Sequence, residues 1–188
     1  MKNPSSERPN ARGARGFACL IVWLLFAECV FAEQQVTESP ERTFRIVQQS
    51  NGEGWKQTLH FTGEQTDEIL LEAGISWAAL YYVSPDERWI LRIQKSGSGD
   101  NISYLYRVDL RRRLWKLENE LATLGFEFLR RRKEAPSGGV YHTGIKFRSW
   151  NMKRSHLHFS IHASTDRLEN GVERNLVYDL KGQEISVD

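Results

Sequence analysis

The sequence predicts a mainly β fold with one α-helix at about residues 118–134, in which two similar four-strand units form antiparallel sheets. Three observations support this prediction. Apolar and polar residues alternate in many short segments, as in a strand with one buried face. One segment instead repeats its apolar residues every three or four positions, as a helix does. Two stretches share one layout of strands and turns, which fits a sandwich or part of a propeller.

Residues 1–32 have the composition of a signal peptide. Four basic residues precede an apolar stretch, and the small residues Val30 and Ala32 stand where a signal peptidase would read them for a cut after Ala32. We therefore expect an exported protein, periplasmic or secreted, that meets the membrane only through this leader before cleavage. Two alternatives stay open, namely a leader retained as an anchor and lipid attachment at Cys29.

Removal of the leader changes both the cysteine content and the charge. Cys19 and Cys29 are the two cysteines of the chain, and both lie in the leader, so the mature protein is expected to have no disulfide and no thiol chemistry. The leader also holds four of the 26 Lys and Arg residues and two of the 24 Asp and Glu residues, which leaves 22 of each. This balance argues against a nucleic acid partner.

The mature chain reads as a polar, flexible lead-in over residues 33–41, followed by a single β-rich domain over residues 42–188. Its strand-like segments are separated by turns rich in Gly, Pro, Asn and Asp. The apolar positions of these segments are, in chain order, Phe44 and Ile46; Trp55, Leu59 and Phe61; Ile69–Leu71; Ile75–Val83; Trp89, Leu91 and Ile93; Ile102, Tyr104, Tyr106 and Val108; Ile145 and Phe147; Leu157, Phe159, Ile161 and Ala163; and those within 175–180 and 183–187.

The helix is predicted from apolar residues spaced four, three and four apart, namely Leu117, Leu121, Leu124 and Phe128. Asn119 is the expected N-cap, and the Pro- and Gly-containing segment 136–139 ends the helix. Gly125 inside the helix costs about 1 kcal/mol relative to alanine. Leucines continue the spacing backwards, so a start near Asp109 stays open.

The two similar units are Tyr81–Leu117 and Lys146–Val187. Each reads as a strand, a turn that begins with serine, an alternating strand, a polar loop, a strand that ends in Asp-Leu, a tight turn and a last strand. This layout favours a strand over residues 114–117. The turn Ser84-Pro85-Asp86, with the apolar strand before it, resembles the blades of TolB-like β-propellers. The resemblance implies a local sheet topology and a binding role, and it carries over no catalytic residue.

His156, His158 and His162 fall on one face of a predicted strand and are the candidate metal ligands. Neighbouring positions on one strand face are about 7 Å apart, which allows the first two to share a metal ion. His142 or Asp166 would supply a further ligand. The alternative is that the three histidines belong to the polar outer face of a half-buried sheet.

Trp150 lies between polar residues at a predicted turn and is the candidate for an exposed aromatic side chain that contacts a partner. Trp77 and Trp89 lie in apolar or alternating segments and are expected in the core. The arginine-rich clusters at 111–113 and 130–133 read as solvated surface, although together they would suit an anionic partner.

The loop 96–101 is the second candidate partner surface, with Asp100 and Asn101 as its contact residues. Small loops that contain glycine can hold an anion with backbone N–H groups. The alternative is that this loop is a plain hairpin connection between two strands.

The chain has no G-x-S-x-G, H-E-x-x-H, C-x-x-C or Walker motif. We therefore expect an exported, non-enzymatic domain without a cofactor that binds a protein or polymer partner at the cell envelope. Two alternatives stay open. One is a periplasmic metal-dependent or hydrolytic enzyme that uses the histidine face, and the other is a structural envelope protein that self-assembles through exposed strand edges.

Overall fold

The computed structural model describes residues 33–63, 68–109, 111, 113–117, 119–135, 139–166 and 168–188. The predicted leader lies outside these residues. Within them the chain forms one helix, α1 (Leu121–Arg131), and twelve strands. The strands are β1 (Gln34–Glu38), β2 (Phe44–Ser50), β3 (Trp55–Phe61), β4 (Glu68–Ile75), β5 (Ala79–Val83), β6 (Trp89–Lys95), β7 (Asn101–Val108), β8 (Leu114–Lys116), β9 (Val140–Asn151), β10 (His156–Thr165), β11 (Leu168–Asp179) and β12 (Ile185–Val187).

The strands form three antiparallel sheets, and in each sheet four consecutive strands pair in chain order. We call them sheet A (β1–β4), sheet B (β5–β8) and sheet C (β9–β12). The predicted fold class is confirmed, because the domain is mainly β with one helix and consists of four-strand antiparallel sheets. Sheets B and C correspond to the two predicted units. Sheet A has the same strand order and precedes them in the chain.

The segment expected to be a flexible lead-in contains strand β1, which pairs with β2 over its whole length. Val36 lies opposite Val47 in this pairing. Because β1 is the edge strand of sheet A, most of its side chains are exposed and its sequence has no apolar alternation. Backbone pairing, which leaves little trace in the sequence, places this segment in the sheet.

Sheet B is the central layer of the fold. Ile90 and Tyr106 on one of its faces pack in a core with Phe44 and Leu59 of sheet A. Residues of the other face, including Leu91, pack in a second core with sheet C and α1. Strand β6 is therefore buried on both faces, and the row of buried residues from Ile90 to Gln94 includes a charged side chain, that of Arg92.

Helix α1 lies on sheet C and begins later than the sequence suggested. Its N-cap is Glu120 rather than Asn119, because the Glu120 carboxylate accepts hydrogen bonds from the Ala122 and Thr123 amides. Residues Leu114–Lys116 form β8, which confirms the strand and excludes a helix that starts near Asp109. No helix in the described ranges is long and apolar enough to cross a membrane.

Candidate binding cleft

Three side chains form a cross-strand row on the face of sheet B that is directed towards sheet C. Trp89 pairs with Arg107 across β6 and β7, and Arg107 pairs with Trp115 across β7 and β8. We call them the Trp–Arg–Trp row. The Arg107 Cζ atom lies 6.0 Å from the centre of the Trp89 ring. The row therefore presents one cation between two indoles, which offers a guanidinium for an anionic group and aromatic surface for an apolar one.

The turn between β5 and β6 fixes one end of this row. The Ser84 hydroxyl donates to an Asp86 carboxylate oxygen at 2.6 Å and accepts from the Trp89 amide at 3.0 Å. Glu87 adopts a left-handed backbone conformation with φ 56°. Its carboxylate accepts a hydrogen bond from the Thr43 hydroxyl of the segment before β2. The turn is thus held both internally and against sheet A, so Trp89 enters β6 in a defined register.

The turn between β7 and β8 fixes the other end. One Asp109 oxygen accepts from the Arg111 and Arg113 amides, both at 2.9 Å, and the other accepts from the Arg113 guanidinium at 2.9 and 3.1 Å. Desolvation alone would raise the pKa of Asp109, but the hydrogen bonds from Arg113 and Arg111 lower it below its usual value. Asp109 therefore stays ionised and holds Arg113, whose Cζ atom lies 4.9 Å from the centre of the Trp115 ring.

The Trp–Arg–Trp row forms one wall of a cleft of about 1150 Å³. The other wall comes from sheet C and its loops and includes Met152, Ser155, Leu180 and Lys181. The residues that line the cleft are Asp86, Arg88, Trp89, Arg107, Asp109, Arg113, Trp115, Lys116, Leu117, Asn119, Leu124, Met152, Ser155, Tyr178, Leu180, Lys181 and Gln183. The walls thus combine apolar, aromatic and cationic groups, as sites for amphipathic anionic ligands do.

The charge in the cleft is predominantly positive, since five of the lining residues are Arg or Lys and two are Asp. The Lys116 ammonium lies 3.4 Å from the centre of the Tyr104 ring, and Arg113 is paired with Asp109. Arg88, Arg107 and Lys181 also line the cleft, and no carboxylate of the described residues forms an ion pair with them. Arginine is suited to an anionic ligand because its guanidinium binds carboxylate and phosphate in a bidentate manner.

The three candidate metal ligands lie on the outer face of sheet C. The rings of His156 and His158 are 6.1 Å apart, and His158 Nδ1 lies 3.1 Å from an Asp188 carboxylate oxygen. Burial and the nearby Lys146 ammonium lower the pKa of His162 below its usual value. In the described part of the chain, no three His, Cys, Asp or Glu side chains are grouped closely enough to bind a metal ion. The histidine metal site stays a prediction.

The two further ligands suggested for that metal site have other neighbours. The His142 ring lies against Gly99, where an added Cβ atom would come within 2.8 Å of its Nδ1. Asp166 accepts a hydrogen bond from the Tyr141 hydroxyl at 3.0 Å. Both residues are therefore engaged at the end of sheet C that the loop 96–101 approaches.

The predicted partner residues are placed differently from what the sequence suggested. Trp150 is half-buried, packs on the core of sheet C and lies 5.8 Å from the Phe147 ring, so it is not an exposed turn residue. Trp77, expected in the core, is 42% exposed, and Trp89 is half-buried. Trp150 lies within strand β9 rather than in a turn, and Trp77 precedes strand β5 rather than lying within it. Their degrees of exposure are therefore the reverse of those that the sequence predicts.

Asp100 and Asn101 hold the β7 end of their loop to β9. An Asp100 oxygen accepts from the Thr143 amide at 2.7 Å. The Asn101 amide group donates to the Ile145 carbonyl and accepts from the Ile145 amide at 3.0 Å, as a paired strand residue would. These polar groups are thus used within the protein, and they join sheet B to sheet C.

The cleft is not apparent from the sequence, because its residues come from four distant segments. The sequence predicts Trp89 in the core and the arginines at 111–113 on a solvated face. The signal that would have found them is the register of β6, β7 and β8, which brings Trp89, Arg107 and Trp115 side by side. No family model, no curated protein and no solved structure matches this chain.

Proposed function

We propose that the protein is an exported, non-enzymatic binding module that holds an anionic partner at the cell envelope. The observation that carries the proposal is the cleft beside the Trp–Arg–Trp row, where cationic residues outnumber acidic ones five to two. The domain as a whole is close to neutral after removal of the predicted leader. The positive charge of this cleft is therefore a local feature, of the kind that selects a charged partner.

The indoles add a second component to recognition. Trp115 is 42% exposed, and Trp89 is half-buried at the same wall. An exposed indole offers a large apolar area at a small entropic cost, and large aromatic residues with arginine dominate binding energy in many interfaces. A partner that carries carboxylates or phosphates on an amphipathic chain satisfies both components.

The test measures binding of the purified protein to immobilised polymers of different charge. The probes are poly-L-glutamate and polygalacturonate as polyanions, dextran as a neutral polymer and poly-L-lysine as a polycation. We expect one or both polyanions to bind, with an affinity that falls as salt is raised, because salt screens exposed charges. Dextran and poly-L-lysine are expected not to bind.

Two matched double variants separate the cleft from general charge. Arg107→Gln with Lys181→Gln is expected to weaken polyanion binding by about tenfold or more, which corresponds to roughly 1.4 kcal/mol. Arg45→Gln with Arg148→Gln removes the same charge from exposed positions that do not line the cleft. Equal losses in both variants would show that net charge alone drives binding, and a protein that binds neither poly-L-glutamate nor polygalacturonate would overturn the proposal.

A further inference from the structure

We propose that the partner is an extended acidic polypeptide segment that pairs with β8 as a fifth, antiparallel strand of sheet B. This inference rests on the proposed function and names its partner class. Strand β8 lies at the end of the strand order β5-β6-β7-β8, so it is an edge strand of the sheet. It also contributes Trp115 to the Trp–Arg–Trp row and to the lining of the cleft, and thus the free edge adjoins the cleft.

The hydrogen bonds between β7 and β8 show which backbone groups of β8 are left for a further strand. The Leu117 amide donates to the Leu105 carbonyl at 2.8 Å, and the Asp109 amide donates to the Arg113 carbonyl at 3.0 Å. Residues 113, 115 and 117 therefore direct their backbone groups to β7. In an antiparallel ladder the intervening residues direct theirs to the other side. The N–H and C=O groups of Leu114 and Lys116 thus point away from β7, where no strand of the described chain pairs with them.

An added strand would place every second side chain on the cleft wall. The residue opposite Trp115 has its side chain on the face that carries the Trp–Arg–Trp row, because paired residues share a face. Its neighbours two positions away lie beside Arg113 and Leu117. Acidic side chains at these alternate positions would lie on the face that carries Arg107 and Arg113, and the intervening residues would form the backbone hydrogen bonds with β8.

The backbone groups favour a polypeptide over another polyanion. An acidic polysaccharide can contact the arginines and indoles, but it lacks the alternating N–H and C=O groups that match Leu114 and Lys116. Strand addition at a free edge supplies affinity through these main-chain bonds, while the side chains supply specificity. Strand β8 is short, with three residues, so only a short segment of the partner pairs with it.

The test uses a synthetic octapeptide of alternating Glu and Thr, labelled for fluorescence anisotropy with the purified protein. Two methylated versions carry N-methyl groups either on every Thr or on every Glu. Antiparallel pairing with Glu on the cleft wall directs the Thr amides to β8. We expect methylated Thr to weaken binding by at least about tenfold, since more than one hydrogen bond is lost. Methylated Glu is expected to stay within about twofold of the parent peptide. Equal effects of the two versions would overturn strand pairing.

Variants of β8 test the same pairing from the protein side. Lys116→Pro removes the outward N–H and breaks no bond to β7, and proline is tolerated at such edge positions. Lys116→Gln removes the charge but keeps the N–H. We expect the first variant to lose peptide binding at least about tenfold more than the second, through the lost hydrogen bond and its neighbours. If Lys116→Pro does not fold, the methylated peptides decide alone.

The two proposals fail in distinguishable ways. If polygalacturonate binds through Arg107 and Lys181 while no peptide binds, the cleft is a polyanion site and the polypeptide inference is wrong. If neither a peptide nor a polysaccharide binds, the proposed function itself is wrong. Peptide binding that requires the Thr amides supports both.

Discussion

At the scale of single residues, Gln57 is fully buried between sheets A and B, and its side chain makes four hydrogen bonds. Its oxygen accepts from the Tyr81 hydroxyl at 2.6 Å and from Arg92 Nε at 2.8 Å. Its amide nitrogen donates to Gln48 and Gln94 at 3.0 and 3.2 Å. A buried polar network of this kind is stable only while each member keeps a partner. Gln57 is the junction on which the other members depend.

We expect Gln57→Leu to destabilise the protein more than Arg92→Met, although the arginine carries the charge. Loss of Gln57 leaves Arg92 Nε and the Tyr81 hydroxyl buried without an acceptor, at a cost of about 3 kcal/mol or more. Loss of Arg92 leaves both Gln57 and Gln94 oxygens with another donor, and it removes a buried charge. That variant should lie within about 1 kcal/mol of wild type.

Urea unfolding at pH 7.5 measures the two free energies of unfolding. Gln48→Leu is the intermediate case, because it removes hydrogen bonds to the Ala79 backbone but leaves Arg92 bonded to Gln57 and Gln94. An Arg92→Met variant less stable than Gln57→Leu would show that the ion pair with Glu72, at 3.8 Å, is the stabilising element instead.

His162 makes the stability depend on pH. Its pKa in the folded protein is lowered, chiefly by burial and then by Lys146. Below the ordinary histidine pKa, the unfolded chain binds a proton that the folded chain resists, so stability is lost as the pH falls from about 6.5 towards the folded pKa. His162→Gln should therefore lose less stability than wild type between pH 7.5 and 5.5. Equal losses, measured as urea midpoints, would contradict this role.

At the scale of elements, helix α1 meets sheet C at Gly125. A Cβ atom at this position would lie 2.8 Å from Ile161 Cδ1 and 3.2 Å from Leu176 Cδ1. The helix and the sheet are close enough that only glycine fits without displacement of core side chains. Gly125 lowers the stability of the isolated helix, but it allows the helix to pack closely on the sheet.

We expect Gly125→Ala to destabilise the protein by about 1–2 kcal/mol, even though alanine favours the helix by about 1 kcal/mol. The strain of two displaced core side chains outweighs the helix propensity. Glu127→Ala, at an exposed position of the same helix, is the control and should stay within about 0.5 kcal/mol of wild type. A Gly125→Ala protein that is more stable than wild type would show that the Ile161 and Leu176 side chains move aside at little cost in free energy.

The helix and the strands were largely predictable from the sequence, because strand alternation and helical spacing are both set by residues close together in the chain. The helix and most strands of sheets B and C followed from alternation and spacing. The N-cap did not, because Glu120 caps the helix while it also accepts from the Ser103 amide and hydroxyl of β7. A tertiary contact thus selected glutamate over Asn119, the better local capping residue. Strand β1 also escaped prediction, because an exposed edge strand needs no apolar pattern.

At the scale of the whole molecule, the site depends on how distant segments meet. Trp89, Arg107 and Trp115 lie 18 and 8 positions apart in the sequence, and only the registers of two hairpins align them. The opposite wall comes from sheet C, with Lys181 at its turn. Local patterns predict which residues are strands, but they do not determine which sheets face each other or where two sheets diverge into a cleft. The sequence therefore indicates the secondary structure around each binding residue, but it does not predict that these residues form one site.

The central position of sheet B predicts that the three sheets unfold as one unit. Leu59→Ala opens the core between sheets A and B, and Phe159→Ala opens the core between sheets B and C, at about 3 and 4 kcal/mol respectively. Because sheet B contributes to both cores, loss of either exposes it, and each variant should show a single urea transition at a lower midpoint with an unchanged slope. The unfolding transitions followed by tryptophan fluorescence and by circular dichroism should coincide. A second transition confined to the Phe159→Ala protein would mean that sheets A and B fold without sheet C.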